Sequence, residues 1–124
     1  MSNKKLLAKQ KELIKLQDGR KKLIDLFLKN DALIEGSYIE LLQKCGRPTC
    51  VCVKKPTHLV SRISKWTGGK LKHKIVKIKD RSHIRKLAAV YKQHKNAMAK
   101  LVKDAKKERE LMNVIIKLRN QHYE

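Results

Sequence analysis

The spacing of apolar residues changes twice along the chain and predicts three regions. From Lys4 to about Asn30 the apolar positions recur at steps of three, four and seven residues, which is typical of an amphipathic helix. Gly19 falls toward the polar side of this helical wheel, so we expect one helix with a weak point rather than two helices. The helical period returns at Asp80 or Ser82, either of which is a suitable N-cap, and lasts nearly to the end of the chain.

Between the two helical patterns, glycine and proline separate short runs of β-branched and aromatic residues, and these runs indicate three strands. The predicted strands span Ser37 to Gln43, His58 to Trp66 and Leu71 to Ile78. We expect the last two to form a hairpin around Thr67-Gly68-Gly69-Lys70, because two glycines supply the positive φ that a tight turn needs.

These elements predict an α+β fold, in which a small three-stranded antiparallel β unit is inserted between the helices of a long antiparallel helical hairpin. We expect a single domain over residues 1–124, with the first helix in 1–31, a cysteine-rich knuckle and β-meander in 32–79 and a long second helix in 80–124. The second helix would be about 58 Å long at 1.5 Å per residue. A helix of that length needs to pack on the first helix, on a second copy of the chain, or on both.

A heptad-like series with polar interruptions runs along the second helix and predicts a packing seam. Its members follow alternating three- and four-residue steps: Ile84, Leu87, Tyr91, His94, Met98, Leu101, Ala105, Glu108, Met112, Ile115, Arg119 and His122. Besides the first helix, the seam can hold a homodimer or another protein partner. At His94 and His122, a hydrogen-bonded histidine in the core is favoured over a metal ligand.

Charge is distributed unevenly along the chain. The formal net charge is +21, from 32 Lys and Arg against 11 Asp and Glu, and residues 41–79 contain eleven basic residues and no acidic one. Such an excess opposes compaction unless an anion neutralises it, so nucleic acid is the favoured partner. We expect no membrane association, because no stretch approaches the roughly 20 apolar residues of a membrane span. The N-terminus has no secretory signal pattern, so we expect a cytoplasmic location, nucleoid-associated if the partner is DNA.

Three cysteines and a histidine form a cluster with metal-ligand chemistry. The motif reads Cys45-Gly46-Arg47-Pro48-Thr49-Cys50-Val51-Cys52, with His58 six residues further on. Three thiolates and one imidazole are a common closed set for structural Zn²⁺, which would be bound by Cys45, Cys50, Cys52 and His58 and would leave no position for an activating water. Two alternatives stay open: three reduced cysteines with a surface histidine, and a redox pair, although the latter lacks the Cys-x-x-Cys spacing.

Basic residues surround this cluster and continue along the predicted hairpin and the start of the second helix. The predicted nucleic-acid contacts are Lys44, Arg47, Lys54, Lys55, Arg62, Lys65, Lys70, Lys72, Lys74, Lys77, Arg81, Arg85 and Lys86. Period-two alternation places Lys70, Lys72 and Lys74 on one strand face, which suits phosphate contacts; the alternative is a solvated edge strand that resists aggregation. Arg47 and Arg62 are the expected readers of base edges, because a guanidinium pairs bidentately with guanine.

Trp66, beside the double-glycine turn, either stacks on a base or caps the small core, and the core position is favoured. Aromatic residues make up only 4% of the chain, so a platform of stacked bases is not supported. The sequence has no P-loop, dinucleotide fingerprint or constellation of serine, histidine and carboxylate. It therefore predicts a protein that is not an enzyme and has no small-molecule substrate.

The run from Ile34 to about Val102 resembles a small prokaryotic family of short basic proteins. The likeness is carried by Glu35-Gly36-Ser37, the Cys-Gly-x-Pro-x-Cys-x-Cys motif that begins at Cys45, Pro56-Thr57-His58, Gly68-Gly69-Lys70 and a basic helix with Tyr91. Members of that family have no assigned activity and are often encoded beside transposases or integrases. The resemblance implies a cysteine and histidine site and a mobile-element setting, and it implies nothing about mechanism.

The sequence thus predicts a non-enzymatic nucleic-acid-binding protein, with DNA favoured over RNA, that serves a mobile element as a DNA-binding accessory or regulator. Two alternatives stay open. The same charge would serve an RNA-binding or ribosome-associated protein. The seam would serve a helical interaction module that binds a transposase, a nuclease or another partner.

Overall fold

The computed structural model describes residues 2–43, 55 and 58–123. In chain order its elements are helix α1 (Ser2–Asp25), a 3₁₀ turn (Leu26–Leu28), strands β1 (Ser37–Gln43), β2 (His58–Thr67) and β3 (Lys70–Ile75), a second 3₁₀ turn (Ile78–Asp80) and helix α2 (Arg81–Arg119). The predicted α+β class is confirmed, with two long helices and a three-stranded antiparallel sheet. Within the described residues, no helix is both long enough and apolar enough to cross a membrane.

The chain divides into two compact units. The helical unit comprises Met1–Asn30 and His94–Glu124, and the β unit comprises Asp31–Gln93, so α2 contributes to both. The buried apolar residues of the described chain are divided in the same way. Val76 and Ala88 lie in the β unit, and Ala97 and Ile115 lie in the helical unit.

In the helical unit, α1 and the later part of α2 run antiparallel. Arg20 Nη1 donates to Glu108 Oε2 at 2.9 Å, and His94 Nε2 lies 3.1 Å from the carbonyl oxygen of Leu26, so later residues of α1 lie beside earlier residues of α2. The His94 ring also packs edge-on against Phe27, with the ring centroids 4.9 Å apart. The hydrogen-bonded packing position predicted for His94 is therefore confirmed.

The predicted seam of α2 is only partly used for this pairing. The packing face consists of positions 94, 101, 108 and 115 together with positions 97, 104, 111 and 118, all of which are buried or half-buried. The other row of the seam points away, and Met98 and Met112 in that row are each 48% exposed. His122 lies beyond the end of α2 at Arg119 and is exposed, so the core position predicted for it is wrong.

Two carboxylates occupy packing positions of α2. Asp104 is 2% exposed and Glu108 is 8% exposed. Lys100 Nζ lies 3.2 Å from Asp104 Oδ2, and Arg20 pairs with Glu108 as described above. Because a buried charge is costly unless it is paired, Glu108 holds Arg20 in place and so helps to fix the register of α1 on α2.

Helix α1 continues through Gly19 without a break, as predicted. The sequence placed Gly19 on the polar side of the wheel, but in the structure this residue lines a groove of about 620 Å³ between α1 and the later part of α2. No atom lies within 4 Å of the position that a Cβ on Gly19 would occupy. The groove therefore has room for a side chain at this position.

In the β unit, the strands are arranged in the order β1-β2-β3. Gly68 and Gly69 have φ values of +59° and +78°, so the predicted double-glycine turn is confirmed. Strand β3 ends at Ile75 rather than at Ile78. The Val76 N–H still donates to the Ser61 carbonyl at 2.8 Å, in register with the strand pair, and the chain then forms the 3₁₀ turn at Ile78–Asp80 in place of the predicted end of the strand.

The start of α2 packs on the sheet through backbone as well as side-chain contacts. The Ile34 N–H donates to the Leu87 carbonyl at 3.2 Å, and the adjacent Ala88 is 4% exposed. Next to this contact, Gly36 has a φ of +144°, and a Cβ there would lie 2.9 Å from the Ser64 carbonyl oxygen. Glycine is therefore required at position 36, both for its backbone conformation and for the close approach of β2.

Candidate nucleic-acid interface

One face of the β2–β3 hairpin is built from lysines. The strand register places Lys65 directly opposite Lys72, and Lys70 and Lys74 lie two residues to either side of Lys72 on β3. Because side chains alternate along a strand, these four residues share one face of the sheet, and all four are exposed. Lys65, Lys70, Lys72 and Lys74 form the lysine face, which confirms the alternation predicted for β3.

Acidic side chains offset little of the charge on this face. Lys65 Nζ lies 3.4 Å from Glu35 Oε2, and both side chains are about half exposed. Among the described residues, no ion pair engages Lys70, Lys72 or Lys74. Like charges directly opposite one another on a sheet destabilise the pairing of the strands. An anion on this face would therefore relieve repulsion as well as gain contacts.

Two of the predicted nucleic-acid contacts also anchor α2 on the sheet. Arg81 Nη2 donates to the Leu59 carbonyl at 2.8 Å. Arg85 Nη2 donates to Glu40, and its guanidinium carbon lies 5.5 Å from the centroid of the Tyr38 ring. Both arginines thus have a structural role between α2 and the strands.

Glu40 lies at the centre of this anchoring cluster. The Tyr38 hydroxyl donates to Glu40 Oε1 at 2.7 Å, and Arg85 donates to the same oxygen. The hydrogen bond from Tyr38, followed by that from Arg85, holds the pKa of Glu40 below its ordinary value of 4.5. In turn, the hydrogen bond to Glu40 raises the pKa of Arg85. The two groups therefore stay ionised together at neutral pH and down to mildly acidic pH.

The opposite face of the sheet carries a cleft of about 450 Å³. Its walls include Arg62 and Trp66, which lie four residues apart on β2 and so share one face, and Leu71 and His73 from β3. Tyr91 and Lys65 complete this set, although Lys65 is an alternate residue of β2 that belongs to the lysine face. Arg62, Lys65, Trp66, Leu71, His73 and Tyr91 define the tryptophan cleft.

Arg62 and the lysine face lie on opposite sides of the sheet. The register pairs Arg62 with Ile39 on β1 and with Ile75 on β3, whereas the lysines of β3 lie at the alternate positions. One flat surface of the sheet therefore does not combine Arg62 with Lys70, Lys72 and Lys74. The structure brings Arg62 together with an exposed aromatic ring instead.

Trp66 is 69% exposed, so the core position favoured by the sequence is wrong. The reason lies in the lengths of the strands. Strand β1 pairs with β2 only as far as the pair Ser37 and Ser64, so beyond that point the sheet is a two-stranded ribbon. There Trp66 faces only Leu71 across the ribbon, and Leu71 is itself 44% exposed.

Ser64 and His73 are joined by a hydrogen bond that sequence reasoning missed. Ser64 Oγ lies 2.6 Å from His73 Nδ1, and the two residues are partners in the β2–β3 register. Ser64 is only 6% exposed, so the bond fixes the imidazole in the wall of the tryptophan cleft. The signal was present in the predicted turn, because counting outward from Gly68 and Gly69 pairs position 64 with position 73.

The remaining predicted contacts are either exposed or outside the described residues. Lys55, Lys77 and Lys86 are exposed. Lys44, Arg47 and Lys54 lie outside the residues that the structure describes. The structure therefore gives positions for ten of the predicted contact residues, and four of those form the lysine face.

Most of the predicted zinc ligands also lie outside the described residues, namely Cys45, Cys50 and Cys52. His58 is exposed and begins β2 opposite Gln43, so the two ends of segment 44–57 are held side by side. Within the described parts of the chain, no group of three or more His, Cys, Asp or Glu residues is placed to hold a metal. The zinc site stays a prediction.

Comparison with protein families gave one match, to a model described as "Domain of unknown function (DUF6788)", over residues 4–86. The chain belongs to this family. Searches of curated proteins and of solved structures gave no match. The residues matched to the family include α1, the whole sheet and the first turn of α2, so they contain the lysine face and most of the tryptophan cleft.

Proposed function

We propose that the protein binds nucleic acid through the lysine face, with duplex DNA as the target and without a catalytic step. The observation that carries this proposal is the clustering of Lys65, Lys70, Lys72 and Lys74 on one exposed face, in a stretch of the chain that has no acidic residue. Lysines gain affinity from phosphates by releasing counterions, and that gain does not depend on sequence. The protein therefore positions itself on the nucleic-acid backbone.

DNA is preferred to RNA as the target because of the shape of the hairpin. Beyond Ser64 the sheet is a two-stranded ribbon, and the major groove of B-DNA admits such a ribbon. The major groove of A-form RNA is too narrow for side chains to read. The resemblance to proteins encoded beside transposases supports a role as an accessory or regulator of a mobile element.

The decisive experiment measures how salt affects binding to duplex DNA. The wild type is compared with a variant that combines K70Q, K72Q and K74Q, by fluorescence anisotropy of a labelled duplex at several salt concentrations. Loss of three phosphate contacts lowers the slope of log K against log salt by about 3. The matched control combines K5Q, K11Q and K22Q, three exposed lysines of α1 that lose the same charge. Equal slopes for the two variants would show that total charge, rather than the lysine face, drives binding.

A second arm compares duplex DNA with a structured RNA of equal length at two salt concentrations. Tighter binding to duplex DNA at both concentrations is the expected result. Tighter binding to the RNA would instead favour the RNA-binding or ribosome-associated alternative.

A structural Zn²⁺ is part of this proposal. The donor set of Cys45, Cys50, Cys52 and His58 has the chemistry of a closed zinc site, and the pairing of Gln43 with His58 places the histidine where segment 44–57 ends. When bound, the metal would add its binding free energy to the folding of the loop. Protein purified without added zinc is expected to contain one metal equivalent, and a chelator is expected to lower its melting temperature. Folded protein without metal would refute the zinc site.

A further inference from the structure

We infer that the tryptophan cleft is a binding site for one unpaired nucleotide, whose base stacks on Trp66 and whose phosphate is held by Arg62. This inference rests on the proposed function, because it names a second class of nucleic-acid contact on the same β unit. The site faces away from the lysine face. A duplex on one face and an unpaired nucleotide on the other would together mark a junction between double and single strands.

The exposed ring of Trp66 is the first reason for this assignment. A tryptophan that is 69% exposed has lost little water on folding, and so most of its apolar surface is still available to a ligand. Every nucleobase offers a flat apolar face, and stacking on an aromatic side chain contributes about 1–3 kcal/mol per base. Leu71, directly opposite Trp66 on β3, extends the apolar floor of the cleft.

The guanidinium of Arg62 supplies the second reason. The Nε atom of Arg62 is buried and has no hydrogen-bond partner among the described residues. A ligand does not reach this buried atom, so a phosphate would accept from the terminal nitrogens of the Arg62 guanidinium, and such charge-assisted hydrogen bonds are strong.

The size of the cleft limits the ligand to one nucleotide. At about 450 Å³ it lies in the range of roughly 300–1,000 Å³ that is typical of small-ligand sites. The hydrogen bond between Ser64 and His73 fixes one wall, so the cleft is formed before a ligand arrives. Stacking does not distinguish one base from another, and we therefore expect little sequence preference.

Trp66 is the single tryptophan of the chain, so the intrinsic fluorescence of the protein reports on this cleft alone. The test titrates the full-length protein with single-stranded oligothymidylate and with an abasic backbone of equal length and charge. Oligothymidylate is expected to quench Trp66 fluorescence and to bind about tenfold more tightly than the abasic strand, which is the lower part of the stacking range. Equal affinities, or saturation by anisotropy without a change in fluorescence, would overturn the inference.

Variants separate this inference from the proposed function. W66L is expected to lose the tenfold preference for oligothymidylate while keeping its affinity for duplex DNA, and W66F is expected to keep part of the preference. If the wild type binds duplex DNA but does not distinguish the two single strands, only the inference fails. If it binds no duplex DNA, the proposed function fails as well.

A second inference concerns the helical unit and rests on different residues. Besides Phe27, which packs against His94, eight large apolar side chains of this unit are between 42% and 74% exposed: Leu7, Ile14, Ile24, Leu28, Met98, Val102, Met112 and Ile116. These eight residues form the apolar face. A two-helix unit whose buried apolar residues, among those described, are only Ala97 and Ile115 has little core of its own.

Helix geometry places both halves of the apolar face along one edge of the α1–α2 pair. Leu7 follows the half-buried Leu6, and Met98 follows the buried Ala97, so on both helices the exposed apolar residues come one step after a packing row. In an antiparallel helix pair, these positions on the two helices flank the same edge. The groove that contains Gly19 lies along the other edge of the helix pair. The residues of that edge, such as Gly19 and Lys107, come one position before a residue of a packing row.

The amount of surface is what a stable interface needs. From their exposed fractions, the eight side chains present on the order of 800 Å² of apolar surface, which equals the area that one partner buries in a standard interface. The largest apolar patch of a typical monomer is smaller, about 300–600 Å².

We propose that a second copy of the chain covers the apolar face and completes a four-helix bundle. A closed dimer uses the same patch on both copies, and the area of the apolar face is what each copy contributes to an interface of standard size.

Sedimentation equilibrium without nucleic acid tests this dimer. The wild type is expected to have twice the mass of one chain and I116E the mass of one chain, while I75E is the matched control in the β unit and stays dimeric. A monomeric wild type, or a dimer that I116E leaves intact, would overturn the proposal.

Discussion

The two units of this protein bury opposite kinds of polar group. The helical unit buries the carboxylates Asp104 and Glu108, whereas the β unit buries the small hydroxyls of Ser61 and Ser64. The helical unit therefore uses basic residues as counterions for buried acids, and its apolar face lies outside. The β unit buries these neutral hydroxyls and has its lysine face exposed on the surface. The net charge of the chain does not distinguish basic residues that pair with buried carboxylates from lysines that are exposed on a surface.

The largest expected effect comes from breaking the buried ion pair of the helical unit. R20M leaves the 8% exposed Glu108 without its partner, and Glu108 Oε1 already has no hydrogen-bond partner among the described residues. We expect a loss of about 3 kcal/mol in the free energy of unfolding, as for other pairs that lose one member. Urea unfolding monitored by circular dichroism measures this loss. The control K22M removes an exposed charge of the same helix and is expected to change stability by no more than about 0.5 kcal/mol; equal losses would contradict the pairing.

The next effect concerns the β unit, where the backbone rather than charge is the limiting feature. G36A places a Cβ 2.9 Å from the Ser64 carbonyl oxygen at a φ of +144°, and we expect it to cost about 2 kcal/mol. G19A in α1 is the matched control, because its Cβ meets open space. That substitution is expected to stabilise the helical unit by about 0.5–1 kcal/mol. A loss of stability in both variants would contradict the comparison of these two glycines.

A smaller effect is expected from removing the buried hydroxyl of Ser61. Ser61 is fully buried, and its Oγ has no hydrogen-bond partner among the described residues. S61A removes an unsatisfied polar group, so we expect no loss and a gain of up to about 1 kcal/mol. Thermal unfolding of both proteins at one pH measures the difference. A clear loss would show that the hydroxyl has a partner, and the contrast between paired charges and unpaired hydroxyls would then be weaker.

The smallest effect is a change in the pKa of Glu40. Y38F removes the hydrogen bond that does most to lower this pKa, so the value is expected to rise toward 4.5. Because the pKa of Glu40 is lower in the folded state than in the unfolded state, the stability that it contributes is present above the unfolded value and is lost as pH falls through the folded value. Titration of the carboxyl carbon by NMR measures the change. An unaltered pKa would assign the shift to Arg85 alone.

Local signals predicted the elements well where one residue type dictates the backbone. The double glycine at 68 and 69 predicted the turn, and the strand boundaries next to it agree to within one residue. The end of β3 was predicted three residues too late, because the β-branched run through Val76 and Ile78 is typical of a strand. In the structure Ile78 instead begins the 3₁₀ turn Ile78–Asp80 that leads into α2, so the end of the strand depends on where the next helix starts.

The packing face of α2 and the position of Trp66 were harder to predict. The two rows of the seam have similar apolar character, so sequence periodicity did not show that the row containing Met98 and Met112 stays exposed. It did not place Asp104 in a packing row either, because a carboxylate is buried only where a partner such as Lys100 reaches it. Trp66 is exposed because β1 is too short to reach it, and that depends on strand register.

The sequence by itself determined the order of helices and strands, the double-glycine turn and the alternation that gathers Lys70, Lys72 and Lys74, because these features depend on neighbours within a few residues. Only the tertiary structure decided which row of α2 packs, which carboxylates are buried, and that Trp66 lies beside Arg62 in an open cleft. These features depend on strand register and helix rotation. A shift of one residue in either exchanges buried and exposed side chains, and local sequence contains little information about such a shift.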